Sequence, residues 1–131
     1  MKINGVNARE AQELLSRGAL FIDVREPEEI DQIAYQVPDV INIPISGFDE
    51  NYLDIPKDKA IILVCRRGVR SLRVAQFLYI NGWKLENLYN LEGGIMAWEA
   101  DGFPVKKSAR KFSFIQPKKS CCSTDDSGSC C

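Results

Sequence analysis

Ala60-Ile61-Ile62-Leu63-Val64-Cys65-Arg66-Arg67-Gly68-Val69-Arg70-Ser71-Leu72-Arg73-Val74-Ala75-Gln76-Phe77-Leu78 runs from an unbroken apolar stretch, across a basic turn, into a helix-like pattern. Ile61 to Val64 reads as a strand buried on both faces, and as the most apolar strand of the chain it is expected at the centre of a sheet. The helix is expected to reach about Asn81, with Gly82 as its stop. Cys65 thus stands where a strand ends, which is where α/β sheets place ligands. It also stands where a helix begins, and a helix N-terminus offers unpaired N–H groups and a positive field to an anion. Both points make Cys65 a candidate nucleophile or sulfur carrier.

Outward from this stretch the same alternation repeats. Asn7 and Glu10 fit a capping box for a helix closed by Gly18. Ala19 to Arg25 reads as a buried strand, and Pro27 suits the first turn of a short helix over Glu28–Ile33. Val40 to Ile43 is a short strand stopped by Pro44, and Leu85 to Leu91 alternates as a further strand. Gly93-Gly94 then turns the chain into a short helix over Ile95–Glu99, with Trp98 expected in the core. Strands alternating with helices at this pace predict an α/β fold with a parallel sheet covered on both faces.

Composition narrows the function. A chain of 131 residues, 45% apolar and 27% charged, makes one domain that needs no disulfide staples. The net charge of −1 hides an asymmetry: residues 1–103 hold 11 basic and 16 acidic groups, and residues 104–131 hold 6 and 2. An acidic body argues against a nucleic-acid partner, which would need a basic face. The chain has no histidine, so no Ser-His-Asp triad, Cys-His pair or His-containing zinc motif can form. No signal-like stretch opens the sequence and no run of about 18 apolar residues exists, so the expectation is a cytoplasmic protein without a membrane partner. In that compartment the five cysteines are expected as thiols.

A free thiol has a pKa of about 8.5, and a helix N-terminus with basic neighbours lowers it to roughly 3.5–7.5. Arg66, Arg67 and Arg70 supply the charge, and Gly68 lets the loop curl so that N–H groups face the sulfur. Such a nest suits an anionic persulfide or a small anionic sulfur donor, and requires no metal or organic cofactor. Tyrosine-phosphatase-type loops carry a histidine before the cysteine and five residues between cysteine and arginine. Here Val64 precedes Cys65, four residues separate Cys65 from Arg70, and position 71 is serine. The shorter loop fits one sulfur atom better than a tetrahedral oxyanion. A thiolate-dependent phosphatase or arsenate reductase, or a non-catalytic binding or regulatory module, are the alternatives.

Four segments in order carry a family resemblance: Ile22-Asp23-Val24-Arg25-Glu26-Pro27-Glu28-Glu29, Ile41-Asn42-Ile43-Pro44, the loop Cys65–Ser71, and Leu88-Tyr89-Asn90-Leu91-Glu92-Gly93-Gly94-Ile95-Met96-Ala97-Trp98. Over residues 4–105 the chain resembles a single-domain rhodanese-like sulfurtransferase. The resemblance implies a five-stranded parallel sheet with helices on both faces. It also implies that Cys65 takes sulfane sulfur from a donor such as thiosulfate, as a persulfide, and passes it to cyanide, a thiol or a protein acceptor. Arg66, Arg67, Gly68, Val69, Arg70 and Ser71 would bind substrate and stabilise the persulfide. Asp23 and Arg25 would support the loop, Asp23 by bracing one of its arginines. The chain departs from the family at Ala34-Tyr35-Gln36-Val37-Pro38-Asp39-Val40, where His-Ile-x-Gly-Ala is usual.

A rhodanese-like domain is therefore expected over residues 1–105, followed by a basic, then Cys-rich, flexible tail over 106–131. Cys121, Cys122, Cys130 and Cys131 are candidates for a sulfur relay from Cys65; soft-metal binding and no set role are the other readings. The apolar island Phe112–Ile115 could dock on the domain.

Overall fold

The computed structural model describes residues 2–107. In chain order the elements are β1 (Asn4–Val6), α1 (Ala8–Ser16), β2 (Leu20–Asp23), α2 (Pro27–Gln32), β3 (Ile33–Tyr35), β4 (Ile41–Asn42), α3 (Phe48–Asn51), β5 (Ile61–Val64), α4 (Val69–Ile80), β6 (Leu88–Leu91), α5 (Gly94–Ala100) and β7 (Val105–Lys107). The main sheet has five strands, all parallel, in the order β1-β6-β5-β2-β4. β5 is central, as its composition predicts, and all four of its residues are fully buried.

Alternation along β5 divides the core in two. Ile61 and Leu63 pack with Phe48, Val74, Ala75 and Leu78 on the α3–α4 side. Ile62 and Val64 pack with Ala8, Ala11, Ile95 and Trp98 on the α1–α5 side. Each Ile, Leu, Val or Phe among them stabilises the fold by about 1.5–3 kcal/mol on burial. The predicted capping box is present: Glu10 N–H donates to Asn7 Oδ1 at 2.8 Å and Asn7 N–H to Glu10 Oε1 at 2.9 Å. Among the described residues no helix is long and apolar enough to cross a membrane.

The structure differs from the sequence reading where long-range pairing decides. β1, three residues including a glycine, has no apolar run of its own; it exists because Asn4–Val6 align with Tyr89–Leu91 of β6. The expected helix over Glu28–Ile33 stops at Gln32, because Ile33 is extended (φ −152°, ψ 128°) and begins β3. β3 pairs antiparallel with β7, placing Ile33 opposite Lys107 and Tyr35 opposite Val105. This small sheet takes in Lys106 and Lys107, which composition grouped with the tail. Leu85–Asn87, expected as strand, form a 3-10 turn ahead of β6. Cys121, Cys122, Cys130, Cys131 and Phe112–Ile115 lie outside the described residues.

Within the segment that departs from the family pattern, Asp39 has φ 60°, the one non-glycine residue at positive φ among the described residues. A Cβ in this region costs roughly 1–2 kcal/mol, less for Asp than for most residues, and glycine avoids the cost. Asp39→Gly is expected to leave stability unchanged or raise it by up to about 1 kcal/mol, and Asp39→Val to lower it by at least about 1 kcal/mol. Urea unfolding of the two variants checks this, and a Gly variant no better than the Val variant would contradict it.

Candidate active site

The end of β5 is tied down from two sides. The Cys65 carbonyl accepts the Tyr35 hydroxyl at 2.7 Å from β3 and the Ile95 N–H at 3.0 Å from α5. The next carbonyl, of Arg66, accepts the Met96 N–H at 3.2 Å. This lashing requires glycine at the start of α5. Gly94 sits at φ 57°, and a Cβ on it would lie 2.4 Å from the carbonyl carbon and oxygen of Arg66. Gly68, at φ 93°, then reverses the chain into α4.

The reversal aims donors at the sulfur. Gly68 N–H reaches Cys65 Sγ at 3.0 Å and Ser71 N–H at 3.5 Å, while Ser71 Oγ lies 3.3 Å from it. The predicted nest is therefore present, and Cys65 is 1% exposed within it. Burial pushes the thiol up, but the Ser71 hydroxyl and the N–H groups of Ser71, Gly68 and Arg67 outweigh it and hold Cys65 below the ordinary thiol range. Guanidinium groups are not among the principal causes. The loop N–H groups expected from the sequence are among these causes, joined by the Ser71 hydroxyl.

Arg66, Arg67 and Val69 are exposed on the loop. Arg70 turns to α2, where its two terminal nitrogens meet Glu29 Oε1 at 2.7 Å and Oε2 at 2.8 Å. Glu29 is itself positioned by the Glu26 N–H at 3.0 Å. The Arg70 hydrogen bonds draw the Glu29 carboxyl down to about 2, and Glu29 raises Arg70 in return.

Asp23 braces Arg25 rather than a loop arginine. Its carboxylate takes Arg25 Nη2 at 2.8 Å and Nε at 3.1 and 3.2 Å, and both residues are 1% exposed. Arg25 also donates to the Ile33 carbonyl at 2.8 Å and lies 5.4 Å from the centre of the Tyr35 ring. Burial, and then the charge of Asp23, push the Tyr35 phenol far above its usual range, so it stays a donor to Cys65. Asp23 and Arg25 thus support the loop through β3.

Three residues of the site escaped the sequence reading: Glu29, Tyr35 and Asn90. Glu29 was legible only as a helix N-terminal charge, and Tyr35 lies in the segment that breaks the family pattern. Asn90 left a signal, a polar residue among the apolar neighbours of β6. It is buried, accepts the Ser71 hydroxyl on Oδ1, and donates from Nδ2 to the Gly68 carbonyl at 3.1 Å.

Residues 7–101 match the model of the rhodanese-like domain. A protein called Sulfurtransferase from Allochromatium vinosum is 35% identical over 86 residues, 66% of this chain and 77% of the relative. Thiosulfate sulfurtransferase GlpE from Actinobacillus pleuropneumoniae is 27% identical, covering 77% of this chain and 91% of the relative. The crystal structure of a rhodanese-related protein from Thermoplasma volcanium superposes with a TM-score of 0.68 at 33% identity, covering 79% of this chain and 97% of that one. The chain belongs to the rhodanese-like domain family, whose sulfurtransferases make sulfur transfer its family-level chemistry.

The Arg70–Glu29 pair has a pH signature. A carboxyl with a depressed folded pKa contributes stability above its unfolded value and loses it as pH falls through the folded one. For Glu29 that window runs from the ordinary 4.5 down to about 2. With both side chains about a third exposed, screening limits the contribution to roughly 0.5–1 kcal/mol. Glu29→Gln is expected to be less stable than the parent by that amount at pH 7, with the gap closing towards pH 2. Denaturant unfolding at pH 7, 4 and 2.5 tests it; a gap independent of pH would remove the ion pair as its cause.

Proposed function

We propose that the protein is a rhodanese-type sulfurtransferase that works through a persulfide on Cys65. The observation that carries this reading is the donor nest: Gly68 and Ser71 N–H groups converge on a buried sulfur already biased towards the anion. Cys65 thiolate attacks the outer, sulfane sulfur of an anionic donor such as thiosulfate. The new bond joins Sγ to that sulfur, the donor's S–S bond breaks, and its electron pair leaves on sulfite. The total charge is unchanged, and neither an oxidant nor a reductant is needed. Cyanide or a thiolate then attacks the outer sulfur, and Cys65 departs as thiolate.

Within this scheme Arg66 and Arg67, exposed on the loop, draw the anionic donor in, and Arg70 contributes less because Glu29 neutralises it. Val69 lies at the exposed crest, where a thiol-bearing or protein acceptor would meet the loop. The four-residue spacing from Cys65 to Arg70 supports sulfur transfer over attack on phosphate or arsenate. A reducing cytoplasm would keep Cys65 available as a thiol.

The tail extends the scheme. Val105 pairs with Tyr35, whose hydroxyl touches the Cys65 carbonyl, so β7 is linked to the Cys65 loop through β3. Cys121 lies 14 residues beyond Lys107. Fully extended, 14 residues reach at most roughly 46–50 Å. A tail thiolate attacking the outer sulfur of the persulfide would release Cys65 and carry the sulfur onward.

Incubation with thiosulfate is expected to leave one extra sulfur mass on the Cys65 peptide, lost on adding cyanide. Cys65→Ser should abolish both the adduct and thiocyanate formation. Parent-rate turnover in that variant, or Cys65-dependent hydrolysis of an aryl phosphate without any persulfide, would overturn the reading. For the relay, a thiosulfate pulse should place sulfur on tail peptides in the intact chain. Truncation after Lys119 should lengthen the lifetime of the Cys65 persulfide; an unchanged lifetime and acceptor rate would remove the relay.

A further inference from the structure

Ser71 has one hydroxyl proton and stands between two acceptors. Its Oγ donates to Asn90 Oδ1 and lies 3.3 Å from Cys65 Sγ. The Asn90 amide cannot be turned round, because its Nδ2 donates to the Gly68 carbonyl and an oxygen there would be repelled. Asn90 is 6% exposed and Ser71 fully buried, so solvent offers neither an alternative partner. With the hydroxyl proton on Asn90, Ser71 Oγ can only accept, and its contact with Cys65 needs an S–H to donate. A thiolate has no proton to give. The hydroxyl must then rotate to the sulfur, and Asn90 Oδ1 is left buried without its donor, a state that costs free energy.

We propose that Asn90 is a positioning residue that governs the protonation of Cys65 by competing with its sulfur for the single Ser71 hydroxyl proton. The inference rests on the reading of Cys65 as persulfide carrier. In the empty site the competition favours the thiol and opposes the Gly68 and Ser71 N–H groups, which donate to sulfur in either state. Once sulfur is loaded, the negative charge sits on the outer sulfur, Sγ has become a neutral bridging atom, and the hydroxyl proton is free to return to Asn90. Asn90 thus disfavours the bare thiolate relative to both the resting thiol and the persulfide. A thiolate so disfavoured is the stronger nucleophile, since nucleophilicity rises with thiol pKa.

Other titratable and charged groups surround the Cys65 loop. They are Arg66, Arg67 and Arg70 on the loop, Glu29 on α2 through Arg70, Asp23 and Arg25 at the end of β2, Tyr35 on β3, and Glu92 after β6. None of them hydrogen-bonds to Asn90.

The test is the pH dependence of iodoacetamide alkylation in the full chain, read on the Cys65 peptide by mass spectrometry. Asn90→Leu and Asn90→Ala are each made with Ser71 present and with Ser71→Ala, and thermal unfolding confirms folding. With Ser71 present, the alkylation midpoint is expected to fall by at least half a pH unit, about threefold in the ionisation constant. With Ser71→Ala that fall should vanish. Loss of the Gly68 carbonyl's donor is common to both backgrounds and cancels in the comparison. A midpoint unchanged or raised with Ser71 present, or an equal fall in both backgrounds, overturns the proposal. Absence of a thiosulfate-induced persulfide in the parent, with the Ser71-dependent shift intact, would instead sink the sulfurtransferase reading and leave the competition standing.

Discussion

A sulfur anion withdrawn from water must be held by hydrogen bonds, and the architecture around Cys65 follows from that constraint. Burial alone would keep the thiol protonated. The Ser71 hydroxyl and the N–H groups of Ser71, Gly68 and Arg67 oppose burial and draw the thiol below its ordinary range, because they converge on one atom. Convergence needs a turn that only a left-handed residue makes, hence Gly68, and a loop pressed against the start of α5, hence Gly94. The central position of β5 supplies the rest: a strand buried on both faces cannot shift its end, so the loop inherits a fixed origin.

Charge is arranged around this nest rather than in it. The buried Asp23–Arg25 pair is far from solvent, and removing one partner of such a pair typically costs about 3–5 kcal/mol. Its hydrogen bond to the Ile33 carbonyl and the contact of Arg25 with Tyr35 fix β3, and Tyr35 fixes the Cys65 carbonyl. The segment that departs from the family pattern thereby still meets the loop, through the Tyr35 hydroxyl on the Cys65 carbonyl. At the rim, Glu29 ties Arg70 to α2 and leaves Arg66 and Arg67 as the exposed cations.

The order of strands and helices, the central β5 and the nest around Cys65 were legible because each depends on local pattern: an apolar run, a glycine, a helix start. β1 and the β3–β7 pair were not, since these three-residue strands exist only through partners seventy or more residues away. Arg70 shows the same limit in the site. Its place in the loop was readable, but its partner lies 41 residues earlier and was visible only as a helix N-terminal acid. Asn90 was readable as an anomaly, and only geometry showed what it binds.

In the proposed persulfide scheme the site stabilises two anions that differ in position by one sulfur atom. A cradle tuned only for the thiolate on Sγ would deepen the resting state and slow attack on the donor. Donors fixed by the backbone cannot discriminate between the two states, because Gly68 and Ser71 N–H groups stay where the fold puts them. A rotating hydroxyl can, provided that something else accepts it when Sγ does not need it. Among the described residues the Ser71 hydroxyl has these two acceptors, Cys65 Sγ just past the end of β5 and Asn90 Oδ1 on the neighbouring β6. The backbone therefore makes an anion possible at this point, and under the proposed competition a single proton shared between Ser71 and Asn90 sets how strongly the charge is favoured on Sγ.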